Sequence, residues 1–225
     1  MRKVFAVRAD EEHCCRVTVS DEPWKGDIEV EDSADITADL IMRTARHKCG
    51  LPCEIAETER LLIRELTEED LPSLKKLVRN ENERKLLGPA DRNLTDREFL
   101  RAYIKSQYGF FGYGIWGIVL KENNELIGKA GLTAAETDGT GSDMLELSYH
   151  IGEPFRRRGY AFEACTAILE FAYREFGTER FLIRVRKDNP ASLSLALKLK
   201  TSRPQAGGRF QVCISIPQGE LGEVI

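Results

Sequence analysis

Two hydrophobic periodicities alternate along this chain. In Met144 to Ile151, the residues Leu145, Leu147, Tyr149 and Ile151 alternate with Glu146, Ser148 and His150, the two-residue repeat of a strand with one buried face. The next segment changes period. Ala161, Cys165, Ile168, Leu169, Ala172 and Phe176 recur at helical spacing, and Gly177 supplies a stop. Upstream, Leu61 to Glu65 predicts a strand. Asp70 to Arg79 predicts a helix capped by Asp70, with Pro72 in its first turn and Leu71, Leu74 and Leu77 inward. Thr95-Asp96-Arg97-Glu98 reads as a capping box opening a helix with Phe99, Leu100, Tyr103 and Ile104 on one face. Gly114 to Leu120 and Leu126 to Thr133 predict a hairpin around the polar turn Lys121 to Glu125. Downstream, Phe181 to Arg186 predicts a strand, Asn189-Pro190 the cap and first residue of a helix through Lys200, and Arg209 to Ile216 a last strand.

The first part of the chain is different. Val4 to Val7, Val17 to Val19 and Ile28 to Val30 predict short strands, and Ala38 to His47 a helix stopped by Gly50. Residues 1–58 hold 8 Lys+Arg against 13 Asp+Glu, whereas residues 59–225 hold 25 against 24. That asymmetry, with Leu51 to Thr58 as a connection, divides the chain into a small acidic α/β extension (1–55), a main domain (59–217) and an acidic tail (218–225). An extension of this size buries little surface alone, so it is expected to pack on the main domain or on a partner; a homodimer is one arrangement this allows. Its pattern is similar to a fragment of a Rossmann-like phosphatase-type domain, without an intact catalytic motif.

Composition adds exclusions. With 42% apolar and 31% charged residues over 225 positions, the chain is globular rather than disordered. No apolar run is long enough to span a bilayer and no signal-peptide core is present, so a cytoplasmic protein with no membrane partner is expected. The near balance of charge in the main domain argues against nucleic acid as a partner. The six cysteines are expected to be free thiols, with Cys165 in the core. His13-Cys14-Cys15 and His47-x-Cys49-x-x-x-Cys53 do not have standard zinc spacing, so no metal is expected.

The chemistry concentrates at Phe155-Arg156-Arg157-Arg158-Gly159-Tyr160-Ala161. A strand, a basic glycine-containing turn and a helix N-terminus together make an anion site, because unpaired N–H groups and the positive end of the helix dipole face the turn. The Arg-x-x-Gly-x-Ala run resembles the acetyl-CoA pyrophosphate loop of the GCN5-related N-acetyltransferases, the GNAT superfamily. Three further blocks stand in register with it: Glu59 to Leu66, Glu146 to Ile151, and Asn189-Pro190-Ala191-Ser192. Together they are similar to the branch that acetylates ribosomal-protein N-termini and related amines. The resemblance covers roughly residues 59–200. It implies the α/β (α+β) GNAT acyl-CoA N-acyltransferase fold, a mixed and mostly antiparallel central sheet flanked by helices. It further implies acetyl-CoA as co-substrate and an amine as acceptor. The cofactor contacts it implies are the main chain of Tyr149, His150 and Ile151, the turn Arg156, Arg157, Arg158, Gly159, Tyr160 and Ala161, and Asn189 and Ser192. Asn189 also reads as a helix cap, and Ser192 as an ordinary first-turn serine.

Transfer to an amine requires that the amine be neutral, which calls for a base. Glu146, on the polar face of its strand, is the first candidate, against the reading of an exposed strand glutamate. His150 on the same face is the second. No general acid for the leaving thiolate emerges. The family's last helix usually ends Lys-x-Gly-Phe before two closing strands. Here it ends Lys198-Leu199-Lys200-Thr201, and only about one further strand is expected. That departure keeps a second reading open, a CoA-binding sensor or scaffold with little catalysis. A phosphate- or nucleic-acid-binding module using Arg156 to Arg158 is the least favoured.

Overall fold

The computed structural model describes residues 4–9, 15–20, 28–30, 37–78, 93–135, 144–201, 210–218 and 221–224. The chain divides into two compact units, Met1–Cys53 and Glu54–Ile225. In the first, β1 (Val4–Ala9), β2 (Cys15–Ser20) and β3 (Ile28–Val30) form an antiparallel sheet of order β2-β1-β3. An antiparallel three-stranded sheet is not the parallel arrangement of a Rossmann-like fragment, so that likeness does not hold. Helix α1 (Ala38–Lys48) begins where Thr37 Oγ1 accepts the Leu40 N–H at 3.1 Å, and the chain turns away at Gly50 with φ +66°. Within this unit His47 Nε2 lies 3.4 Å from Cys53 Sγ. His13 and Cys14 lie outside the described residues.

The second unit carries an eight-stranded sheet whose spatial order follows the chain. Its strands are β4 (Glu54–Glu57), β5 (Leu61–Arg64), β6 (Ile115–Leu120), β7 (Glu125–Ala134), β8 (Leu145–Ile151), β9 (Arg180–Arg184), β10 (Gln211–Gln218) and β11 (Leu221–Val224). Pairing is antiparallel from β4 to β8, parallel for β8–β9 and β9–β10, and antiparallel again for β10–β11. The sheet is therefore mixed and mostly antiparallel, as the sequence predicts.

Two of its strands depart from the sequence reading. Glu54 to Glu57 is an edge strand rather than a connection: Ile55 is buried while its neighbours are not, and four residues ending in glutamates carry too little pattern to read as a strand. The acidic tail also contributes a strand, pairing Gln218 with Leu221 and Ser215 with Val224. Two strands therefore follow the last helix instead of one.

Helices cover both faces. Helix α2 (Leu71–Leu77) and helix α3 (Arg97–Tyr103) bury Leu71, Leu74, Leu77 and Leu100 against Val119 and Leu126. Helix α4 (Tyr160–Phe176) and helix α5 (Pro190–Thr201) bury Cys165, Ile168, Leu169, Ala196 and Leu199 against Leu147, Phe181 and Ile183 on the other. Asp70 does not cap α2. It closes a preceding 3₁₀ turn instead, accepting from the Thr67 N–H at 2.8 Å and from both Arg64 Nη atoms at 2.7 and 2.8 Å. The helix stops short of its predicted end: Val78, with φ −114° and ψ 69°, is a non-helical C-cap, and Arg79 lies outside the described residues. The cap of α3 is Asp96, which accepts the Phe99 N–H at 2.9 Å.

The segment Ile104–Tyr108 after α3 is a π-helical turn, a geometry that re-aims the chain. It delivers the Tyr108 hydroxyl to the core, where it donates to the Ile115 carbonyl at 2.6 Å and accepts the Leu66 N–H at 3.1 Å. Tyr108→Phe is therefore expected to lower unfolding stability by about 1–3 kcal/mol, the cost of a buried donor left unpaired. Denaturant unfolding of the two proteins measures it.

Candidate active site

The site begins where two strands part. β8 pairs with β7 along its whole length, from Leu145 opposite Ala134 to Ile151 opposite Gly128. On its other side the register with β9 comprises Leu145 opposite Phe181 and Glu146 opposite Leu182, and goes no further. β9 continues instead with β10, and Val185 N–H donates to the Ser215 carbonyl at 2.8 Å. Beyond Glu146 the facing edges of β8 and β9 form a fork. Main-chain groups along such a fork are available to an amide-bearing chain laid between the strands.

The basic turn lies at the open end of the fork. Glu153–Phe155 is a 3₁₀ turn. Arg157 has φ +62° and Gly159 φ +84°. Left-handed backbone at a non-glycine residue is uncommon and collects at binding sites. Gly159 then opens the 17-residue α4, and no side chain caps that end. The first-turn N–H groups of a long helix therefore face the turn with the positive end of its dipole. Arg156, Arg157 and Arg158 are all exposed. Arg156 is partly committed to the loop itself, because its Nε donates to the Ile151 carbonyl at 2.8 Å. That bond engages one of the main-chain groups expected to serve the cofactor.

A brace that the sequence reading missed holds the turn. Glu163, in the first turn of α4, accepts from Thr58 Oγ1 at 2.6 Å, from the Arg60 N–H at 3.1 Å, and from Arg60 Nε and Nη2 at 2.8 and 2.5 Å. Arg60 Nη1 donates to the Arg158 carbonyl at 3.1 Å, and its guanidinium stacks 4.5 Å above the Tyr160 ring. One arginine from the turn before β5 thus clamps the carbonyl, the ring and the first turn of the helix. Arg60 was visible only as part of the Glu59 to Leu66 block. The signal for its partner was an acidic residue in a helix's first turn.

Burial acts to raise the Glu163 pKa, but the hydrogen bonds from Thr58 and Arg60 outweigh it and hold the carboxyl below its ordinary value. A folded-state pKa below the unfolded one stabilises the fold above the unfolded value of about 4.3, and the contribution is lost as pH falls through the folded pKa. Glu163→Gln is accordingly expected to cost about 1–3 kcal/mol at neutral pH. The difference from the parent should be smaller at about pH 3 than at neutral pH, because the contribution is lost as pH falls toward and through the lowered folded pKa. Urea unfolding at both pH values checks the sign.

The other predicted residues fall into two groups. Asn189 Oδ1 accepts the Ser192 N–H at 3.0 Å, so it caps α5. Ser192 Oγ hydrogen-bonds the Tyr149 hydroxyl at 2.7 Å, and burial pushes that phenol's pKa up. Asn189, Ser192 and Tyr149 therefore form one chain tying the start of α5 to β8. Ser192 is not a bystander in its helix.

The second group faces the opposite side of the sheet. The buried His150 places Nε2 3.1 Å from the Leu77 carbonyl beneath α2. Facing a carbonyl, that nitrogen must carry a proton, and it cannot accept one there. Glu146 Oε2 accepts from Arg184 Nε at 2.9 Å. Arg184 was also missed; its only signal was a charge at the end of β9, after the apolar run Phe181 to Ile183.

An uncapped helix end, a glycine at positive φ, exposed arginines and a strand fork suit a long cofactor held by its phosphates. The sequence model of the acetyltransferase (GNAT) domain family matches residues 60–201. This chain belongs to the GNAT acetyltransferases. Two Bacillus subtilis (strain 168) proteins are similar to this chain. The uncharacterized N-acetyltransferase YoaA is 28% identical over 151 residues, covering 64% of this chain and 81% of its own. The uncharacterized N-acetyltransferase YjdG is 28% identical over 101 residues, covering 45% of this chain and 58% of its own.

Among solved structures, a putative GNAT-family acetyltransferase from Bordetella pertussis aligns with TM-score 0.52 and 21% identity, over 65% of this chain and 87% of that one. RimL, a ribosomal L7/L12 alpha-N-protein acetyltransferase in complex with coenzyme A, aligns with TM-score 0.53 and 21% identity, over 70% and 93%. These structures share the GNAT fold. As a member of this family the protein uses acetyl-CoA and catalyses acetyl transfer. Among the described residues, no helix is long and apolar enough to cross a membrane.

Proposed function

We propose that this GNAT protein transfers the acetyl group to a primary amine, with Glu146 as the base that takes the amine's proton. Acetyl-CoA supplies the acetyl group as a thioester that an amine can attack directly, releasing the thiol. The observation that carries the reading is the fork between β8 and β9, with Glu146 at its apex and the basic turn at its open end. In this reading the first-turn N–H groups of α4, with Arg157 and Arg158, hold the phosphates. The facing main chain of β8 orients the arm of the cofactor. Glu146 accepts the proton after its carboxylate leaves Arg184, and His150, already holding the Leu77 carbonyl, positions α2 on the sheet.

The acceptor class is tested by screening amines and N-terminal peptides for thiol release from acetyl-CoA. Amine-dependent release supports the proposal, and cofactor binding without any release supports a CoA-binding sensor instead. In the same reading, residues 1–53 contribute nothing to cofactor binding. A chain beginning at Glu54, which keeps β4 whole, should bind CoA with unchanged affinity by calorimetry. A folded chain of that length without binding would show the two-unit division of labour to be wrong.

A further inference from the structure

The ion pair between Glu146 and Arg184 occupies a special place in the sheet. Parallel pairing of β8 and β9 ends at Glu146 and Leu182. Arg184 lies two residues beyond Leu182 and reaches back across the opening fork to Glu146 Oε2, 2.9 Å from its Nε. Phe181, Ile183 and Val185 belong to the core beneath α4 and α5, as do Leu145 and Leu147. By strand alternation Glu146, Ser148, Leu182 and Arg184 therefore share the other face. The pair is only partly withdrawn from solvent, with 23% of the Glu146 side chain and 41% of the Arg184 side chain exposed. Opposite charges thus stand side by side at the apex of the fork, on the face away from the two helices that follow the basic turn.

We infer that this pair recognises a zwitterionic acceptor, an α-amino acid whose ammonium group goes to Glu146 and whose carboxylate goes to Arg184. The inference rests on the acyl-transfer reading above and names the acceptor class for the same site. A simple cationic amine has to separate the pair and then lie beside the Arg184 guanidinium, whose charge opposes it. A zwitterion exchanges one ion pair for two, each a charge-assisted contact. The planar guanidinium also matches a carboxylate in shape. A polyamine brings a second positive charge to the same arginine, so the site rejects by repulsion as well as selecting by attraction. Recognition makes and breaks no covalent bond. The ammonium proton then passes to Glu146 in the transfer step.

The test is calorimetric titration of the full-length protein, saturated with CoA, using each common L-amino acid and its carboxamide. At least one amino acid should bind at least about tenfold more tightly than its own carboxamide. Arg184→Gln should level the two, Arg184→Lys should keep part of the preference, and both variants should bind CoA as the parent does. The inference is overturned if no amino acid binds, if acid and amide bind alike, or if the preference survives Arg184→Gln. Its fate separates from that of the acyl-transfer reading. Acid-selective binding without thiol release retains the zwitterion site and removes the transfer. Amine-dependent thiol release with no preference for the acid does the reverse.

Discussion

Gly159→Val is expected to weaken acetyl-CoA binding by at least about tenfold, on the order of 1.4 kcal/mol. Gly159 holds φ +84° at the residue that opens α4. That region is ordinarily closed to a β-branched side chain. A Cβ built there would already be in ordinary contact with Arg60 Nη2, the atom that donates to Glu163, at 3.4 Å, and valine adds two methyl groups beyond it. Valine therefore has two ways to fit, and both damage the site. If the backbone rotates toward negative φ, the first-turn N–H groups no longer converge on the turn. If Arg60 moves, the brace from Glu163 to the Arg158 carbonyl is lost. In the proposed cofactor mode, a side chain at this position would also stand in the way of a phosphate approaching the backbone. Calorimetry on the folded variant measures the effect, and circular dichroism confirms that α4 survives. Unchanged affinity in a folded protein would place the phosphates somewhere else.

The second large effect concerns turnover. Glu146→Gln should lower the rate of acetyl transfer by roughly a hundredfold, the lower end of general-base contributions. Acetyl-CoA affinity should be nearly unchanged, because the groups assigned to the cofactor are the α4 N-terminus, the arginines and main chain. The defect should shrink as pH rises, since free amines have pKa values of about 8 to 10 and need less help when already neutral. Glutamine also leaves Arg184 without its carboxylate, so a simple loss of charge at this spot must be separated from loss of the base. Arg184→Gln makes that separation: it removes the ion pair and keeps the base. A pH-rate profile that steepens only in the Glu146 variant identifies the base. Equal turnover across pH would make Glu146 a strand residue whose part is the ion pair alone.

Much of the fold was legible because its signals are local. The alternation from Leu145 to Ile151 and the helical spacing from Ala161 to Phe176 each report one buried face, and both elements formed where the pattern put them. The Asn189 cap was equally local, a side chain answering an N–H three residues away. The turn between β8 and α4 was legible as a turn because a strand pattern, a glycine and a helix pattern follow one another there in fixed order. What escaped was either short or distant. β4 and β11 have four residues each, and their pairing partners rather than their own patterns define them. Glu163 meets Arg60 across 103 positions of sequence, and Arg184 meets Glu146 across 38. No periodicity connects such pairs, so their meeting depends on the sheet order. The orientation of His150 belongs to the same class: alternation put it on the polar face, but only the placement of α2 gives its ring a carbonyl to hold.

The most direct test is mass balance on a single reaction. Purified protein is incubated with acetyl-CoA and a panel of primary amines that includes free amino acids, and both products are followed, the thiol by colour and the acetylated amine by mass spectrometry. The account predicts that thiol and N-acetylated product appear one for one, only when an accepted amine is present, and that Gly159→Val suppresses both together. Tight CoA binding with no acetylated amine from any acceptor would contradict it.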